Sequence, residues 1–169
     1  SDALESSSKE LVGDFNGDGL EDVFIGGASG QAGQLLKNIG SGFVAVASKA
    51  LDNDKGHEDM ESVFFDFDND GDLDLFVVSG GNEFDENSSF FTDRLYINDG
   101  KGNFTKAKQP ELEKYPKNGK TVTPIDFDND GDLDLLVGNR VIPRNYPKFQ
   151  PSTIFENKKG RLVDVTEKV

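Results

Sequence analysis

The nine residues DFDNDGDLD occur twice in identical form, at 66–74 and 126–134, and a close variant, DFNGDGLED, stands at 14–22. A chain that repeats so distinctive a string is assembled from repeated structural units, and that repetition limits its architecture more than any other feature. The motifs open at Asp14, Asp66 and Asp126, spacings of 52 and then 60 residues. The similarity runs past the motifs. Each is followed by a short apolar run: VFIGG from Val23, LFVVSGG from Leu75 and LLVGN from Leu135. Later each unit carries another apolar run, then Asn, then a Gly-containing turn: QLLKNIGSGFVAVA from Gln34, RLYINDGKGNFTKA from Arg94 and TIFENKKGRLVDVT from Thr153.

Val, Ile, Phe, Leu and Tyr dominate these runs, as strands require. No stretch holds a helical period between caps. Four strands per unit result, at about 10–13, 22–26, 34–38 and 43–47, then 61–65, 74–78, 94–98 and 103–107, then 121–125, 134–138, 153–157 and 161–166. The second strand of a unit is apolar on consecutive residues, as in Leu75, Phe76, Val77 and Val78, so it expects cover on both faces. Four-stranded sheets packed face to face around an axis supply that cover. The fold expected is therefore all-β, with three four-stranded antiparallel β-propeller blades at 10–47, 48–107 and 108–169 behind a leader at 1–9. A two-sheet sandwich is the alternative, but it has no need of three matching units. Three blades leave apolar faces at both ends, which calls for further blades or a second copy.

The formal charge is −14, with 32 acidic against 18 basic residues. Such a surface repels nucleic-acid phosphates and anionic lipid heads, and no apolar run approaches the length of a membrane span, so neither nucleic acid nor membrane insertion is expected. With 34% hydrophobic residues and 14 Phe, the chain has the material for a packed core. There is no Cys, which removes disulfides and thiolate metal sites.

The acid is concentrated in the motifs, which read D-x-[DN]-x-D-G-x-x-D. Alternate residues of a tight loop aim oxygens at one point, and the sixth-place glycine permits the turn. The candidate ligands are Asp66, Asp68, Asp70 and Asp74 with the carbonyl of Asp72 in the second unit. In the third they are Asp126, Asp128, Asp130 and Asp134 with the carbonyl of Asp132. In the first they are Asp14, Asn16, Asp18 and Asp22 with the carbonyl of Leu20. Hard oxygen donors in this number suit Ca²⁺; Mg²⁺ wants a stricter octahedron, and Zn²⁺ wants His or Cys. Three Ca²⁺ sites are expected. An EF-hand opens the same way but needs a Glu at its twelfth place and flanking helices. The twelfth places here are Ile25, Val77 and Val137, inside strands. An Asx-rich turn without metal is the plainer reading.

The motif between strands, followed by FIGGA or VVSGG, resembles the FG-GAP repeat of integrin α-subunit propellers and bacterial VCBS-repeat proteins. The stretches NEFDENSSFFTDRLYINDGKGNFTKA and GNRVIPRNYPKFQPSTIFENKKGRLVDVT are similar to repeats of Bacteroidetes surface proteins of the ASPIC/UnbV type. The resemblance covers about residues 10 to 166. It implies that the Asp loops bind Ca²⁺ and join the first and second strands of each blade, in a protein found outside the cell, on its surface or in the periplasm. Such propellers close with about six to eight blades, whereas this sequence displays three motifs.

In a blade the Asp loops share a face with the short third-to-fourth turns. The opposite face receives the long segments 48–60, 79–93, 108–120 and 139–152. Long loops on a rigid scaffold carry binding. Glu83, Phe84, Arg140, Arg144 and Tyr146 are the candidate contacts for a glycan or protein ligand. The plainer reading has Phe90, Phe91 and Phe149 folding back as plugs, the prolines at 143, 147 and 151 stiffening a connection, and His57 solvated in an acidic link. The function expected is a calcium-stabilised extracellular binding or adhesion module without enzymatic activity. The alternatives are an architectural piece of a larger surface assembly, or a glycan hydrolase or lyase using Glu83 or Glu86.

Overall fold

The structure is a computed structural model that describes residues 10–114 and 116–168; the leader expected at 1–9 lies outside the described residues. Twelve strands appear in chain order: β1 (Glu10–Gly13), β2 (Asp22–Ile25), β3 (Gln34–Asn38), β4 (Phe43–Val46), β5 (Asp59–Phe65), β6 (Asp74–Ser79), β7 (Arg94–Ile97), β8 (Thr105–Lys106), β9 (Gly119–Ile125), β10 (Asp134–Asn139), β11 (Thr153–Asn157) and β12 (Leu162–Asp164). They form three four-stranded sheets, β1–β4, β5–β8 and β9–β12, and each pairs its strands antiparallel in sequence order.

Side chains alternate across each sheet, and the alternation builds two cores. Leu75, Val77, Tyr96 and Phe104 of the middle sheet meet Phe15, Phe24 and Leu35 of the first. Phe65, Phe76, Val78 and Leu95, on its other face, meet Val122, Leu135, Val137 and Phe155 of the third. Every residue of β6 is therefore buried. The expectation of cover on both faces holds for this middle sheet. It does not hold for the outer ones, where Ile125 and Leu136 of the third sheet are 46% and 40% exposed and Val12 and Phe43 of the first are 52% and 54% exposed.

The Asn that closes each third strand joins sheet to sheet. The Asn98 side-chain amide donates to the Phe15 carbonyl at 2.7 Å, and that of Asn157 donates to the Phe67 carbonyl at 2.8 Å. Both asparagines are buried, and each reaches the acidic loop of the preceding sheet. Among the described residues no sheet precedes that of Asn38, whose side-chain amide donates within its own sheet, to the Glu21 carbonyl at 3.1 Å.

Two short helices, α1 (Lys49–Asn53) and α2 (Pro110–Lys114), sit in the links between sheets. Each drops one leucine into a core, Leu51 and Leu112. Five-residue helices are too short to leave a period, so the sequence reads them as loop. The Ser48 hydroxyl caps α1 by accepting from the Leu51 amide.

Removing a buried hydrogen-bonding side chain costs about 1–3 kcal/mol. Asn98→Ala and Asn157→Ala are expected to lose that much unfolding free energy in urea, and Asn38→Ala less. Equal losses at all three positions would show that the bond between sheets contributes nothing.

Candidate functional site

The three acidic loops join β1 to β2, β5 to β6 and β9 to β10, so they lie on one face of the stack. Their shape comes from carboxylates turning back onto backbone N–H groups. The first-place aspartates accept from the sixth-place glycines: Asp14 from Gly19 at 2.7 Å, Asp66 from Gly71 at 3.0 Å and Asp126 from Gly131 at 3.3 Å. The fifth-place aspartates accept from the seventh-place amides, as Asp70 does from Asp72 at 3.1 Å. Gly71 and Gly131 hold φ of 94° and 95°, which a Cβ resists. The fourth place is left-handed as well, with Gly17 at 72° and Asn69 and Asn129 at 61°. This requirement escaped the sequence reading, although the pattern Gly, Asn, Asn was its signal, because Asn tolerates that region better than most residues.

The ninth-place aspartates, Asp22, Asp74 and Asp134, are fully buried. One carboxylate oxygen of each accepts from the amide of the closing Asn, at 2.7 Å from Asn38, 2.8 Å from Asn98 and 2.7 Å from Asn157. The other oxygen of Asp74 and of Asp134 accepts from Phe67 and Phe127, both at 3.0 Å. Burial pushes the Asp74 carboxyl up to about 6.

Carboxylate oxygens converge in two of the loops. Asp66, Asp68 and Asp74 bring one oxygen each within 4.8 Å of one another, and so do Asp126, Asp128 and Asp130. The Asp126 Oδ1 atom is buried without a hydrogen-bond partner, as is Asp72 Oδ1. An unpaired buried carboxylate oxygen is costly unless a cation meets it. Burial, followed by the charge on Asp70, raises the Asp68 and Asp72 carboxyls above the ordinary range. Burial raises Asp128 too, helped by Asp130 and Asp134. An all-oxygen donor set under mutual repulsion fits a hard divalent ion. The second and third loops also touch, through Asn69 Nδ2 donating to Asp132 Oδ1 at 2.6 Å.

The first loop is arranged differently. Among the described residues, Asp14, Asp18 and Asp22 form no such convergent group. Lys37 Nζ stands 3.0 Å from Asp18 Oδ2 and donates to Asn16 Oδ1 at 3.1 Å. This lysine holds the Asp18 carboxyl below its usual range. The seventh place, Leu20, is exposed, and its amide donates to Asp18.

On the opposite face, segment 139–152 is not the irregular connection expected. It is a small hairpin in which Val141 bridges Phe149 and the Ile142 amide donates to Lys148 at 2.8 Å. Arg144 pairs with Asp85, so this hairpin contacts segment 79–93. Tyr146 and Phe149 are 86% and 76% exposed, so Phe149 is not a plug. Phe91 is one, being buried, while Phe84 and Phe90 lie together with ring centres 4.7 Å apart. Glu83 is exposed and Arg140 half-buried. Among the candidate contacts, Tyr146 is thus the most available, and Phe84 and Arg144 are already engaged.

Sequence reasoning also missed a buried polar group between the first and middle sheets. Arg94 pairs with Asp59 and donates to Ser79 Oγ at 3.2 Å. Asp59 Oδ2 accepts from the Gly27 amide at 2.7 Å. Next to it, Asp54 accepts from Tyr96 at 2.7 Å and from Lys106 at 2.8 Å. The charged Arg94 opening an apolar strand was the available signal. His57 is half-buried, not a freely solvated loop residue. It packs edge-on against Phe90 with ring centres 5.5 Å apart, and its Nδ1 donates to the Phe90 carbonyl at 3.1 Å.

In comparison with known families, the model described as an FG-GAP-like repeat fits residues 14–77 and again residues 66–137. No curated protein matches the chain.

Burial, reinforced by the charge of Arg94, lowers the His57 pKa from 6.5 to about 4. The unfolded chain therefore takes up this proton first as pH falls. The neutral ring's contribution to stability is complete above pH 6.5 and is lost as pH drops toward about 4. Over that window the melting temperature of the wild type is expected to fall more than that of His57→Gln. Parallel curves would rule out His57 as a source of acid sensitivity.

Proposed function

This chain belongs to the FG-GAP-like repeat family, and from that premise we propose that it is a calcium-stabilised binding or adhesion module working outside the cell. The observation that carries the reading is the pair of carboxylate triads at Asp66, Asp68 and Asp74 and at Asp126, Asp128 and Asp130, each within 4.8 Å. Asp70 and the carbonyls of Asp72 and Asp132 complete the donor sets, with Asp134 closing the third loop. Ca²⁺ is structural here. It neutralises carboxylates that otherwise repel by on the order of a few kcal/mol per close pair, and so couples metal uptake to folding. Extracellular sites bind calcium at about 10⁻⁴ to 10⁻³ M, a level found outside cells, and repeats of this family are typical of extracellular or surface proteins. No helix among the described residues is long and apolar enough to cross a membrane. Within the family, the stretches after the motifs favour the ASPIC/UnbV-type surface repeats; an alignment in which those stretches fail to pair would remove that finer placement.

The ligand is a glycan or a protein, and the surface that suits it is the hairpin bearing Tyr146 and Phe149. Exposed rings stack on sugar faces or on an extended peptide, with Lys148 beside them. The family is usually non-enzymatic. Glu83 and Glu86 lie exposed, whereas a general acid needs a desolvated setting. The open faces at Ile125 and Leu136 and at Val12 and Phe43 favour an architecture continued by further sheets of the same kind. A second copy of this chain is the simplest source. A sedimentation profile that stays at one chain across concentrations would exclude the two-copy form.

Demetallated protein titrated calorimetrically is expected to take up Ca²⁺ in preference to Mg²⁺ and to gain melting temperature as it does. Asp70→Ala should weaken uptake in the second loop more than Asp72→Ala, which keeps its backbone carbonyl; equal effects would contradict the ligand assignment. The calcium-loaded protein, screened on glycan and protein arrays, should lose its hits on Tyr146→Ala. An absence of both calcium uptake and thermal gain would end the proposal.

A further inference from the structure

We propose that Lys37 takes the place of the metal in the first loop, so that this loop is closed by an ammonium group and the chain holds two calcium ions, not three. The inference rests on the calcium reading of the second and third loops. Lys37 Nζ lies 3.0 Å from Asp18 Oδ2 and 3.1 Å from Asn16 Oδ1, the fifth- and third-place donors that an ion would need. Asp14 and Asp22 accept backbone amides much as Asp66 and Asp74 do; what sets this loop apart is the side chain of Asn16. Asp14 accepts from Gly17 at 2.8 Å, Asp18 at 3.2 Å and Gly19 at 2.7 Å. Asp22 accepts from the Asn38 amide at 2.7 Å and from Asn16 Nδ2 at 2.5 Å. Asn16 thus bridges lysine and aspartate, one end of its amide to each. The second and third loops instead leave buried carboxylate oxygens without a partner, at Asp72 and Asp126.

The repeat explains why only one loop is affected. Lys37 directly precedes the closing Asn38; Ile97 and Glu156 hold the same place before Asn98 and Asn157. An apolar residue there leaves the second loop without an internal cation. The third loop gains a further acid, and Lys158, although within reach of the charges of Asp128 and Asp130, makes its ion pair with Glu156 at 2.8 Å and not with those two ligands. The first loop also carries fewer charges, since Asn16 and Leu20 stand where the others have aspartates. One ammonium suffices there, whereas a loop of five aspartates needs a dication. The first loop is therefore formed at calcium levels too low to fill the other two.

The test follows the sixth-place glycine amides, Gly19, Gly71 and Gly131, by ¹H–¹⁵N NMR during a CaCl₂ titration of wild type and Lys37→Ile. In the wild type Gly71 and Gly131 shift and Gly19 does not. In Lys37→Ile all three shift, and stoichiometry rises from two ions to three. A saturable Gly19 shift in the wild type overturns the proposal, and so does a silent Gly19 in the variant. Melting in EDTA provides a second readout. Lys37→Ile melts below the wild type there, and Ca²⁺ closes the gap; equal melting in EDTA also counts against the ammonium closure. Silence at Gly71 and Gly131 in both proteins would instead sink the calcium reading, and the EDTA comparison would still judge Lys37 by itself.

Discussion

Three buried aspartates hold this molecule together. Asp22, Asp74 and Asp134 each begin a second strand, are fully buried, and accept the amide of the Asn that closes the third strand. A carboxylate without water is costly unless hydrogen bonds or a cation compensate it. Each of these has such bonds, and Asp74 also contributes an oxygen to a carboxylate triad. The same residue thus fixes the strand, the acidic loop and the turn after the third strand. The closing Asn then passes the connection on, because Asn98 and Asn157 reach the carbonyls of Phe15 and Phe67 in the preceding sheet.

That chain of contacts gives the stack its direction. Each sheet presents one face backward and one forward, and only the middle sheet uses both. The apolar run Leu75–Val78 is satisfied because alternate residues enter different cores. In the third sheet the forward-facing Leu136 is left exposed, while its neighbours Leu135 and Val137 are buried. The cost of exposed apolar area scales with that area, which is why such faces attract a partner.

The two ends of the strands have different electrostatic roles. On the loop face, carboxylates crowd together, and in the first loop Lys37 lies among them. On the other face, charge is paired across segments, as in Arg144 with Asp85 and the buried Arg94 with Asp59. The exposed Arg144 pair adds little to stability. The buried Arg94 pair, tied to the Gly27 amide and Ser79, sets how the first and middle sheets meet.

Strand number, order and approximate limits were legible in the sequence, because a strand's side-chain period and a repeated turn motif are local properties. The position of the three acidic loops was legible too, and in two of them carboxylates of alternate residues do converge, since a turn of nine residues depends on near neighbours. What the sequence left undecided depends on residues far apart. Lys37 meets Asp18 from 19 positions away, and its opposite numbers Ile97 and Glu156 look unremarkable until the sheets align them. The order in segment 139–152, the short helices, the half-buried His57 and the Asp59–Arg94 pair were equally hidden. Local pattern determined that this chain makes repeated four-stranded sheets with acidic loops at one end. Only the tertiary structure decided which acidic loop a lysine enters, which aromatic rings stay in water and which sheet faces remain open, because those outcomes depend on distances between segments that the order of residues does not encode locally.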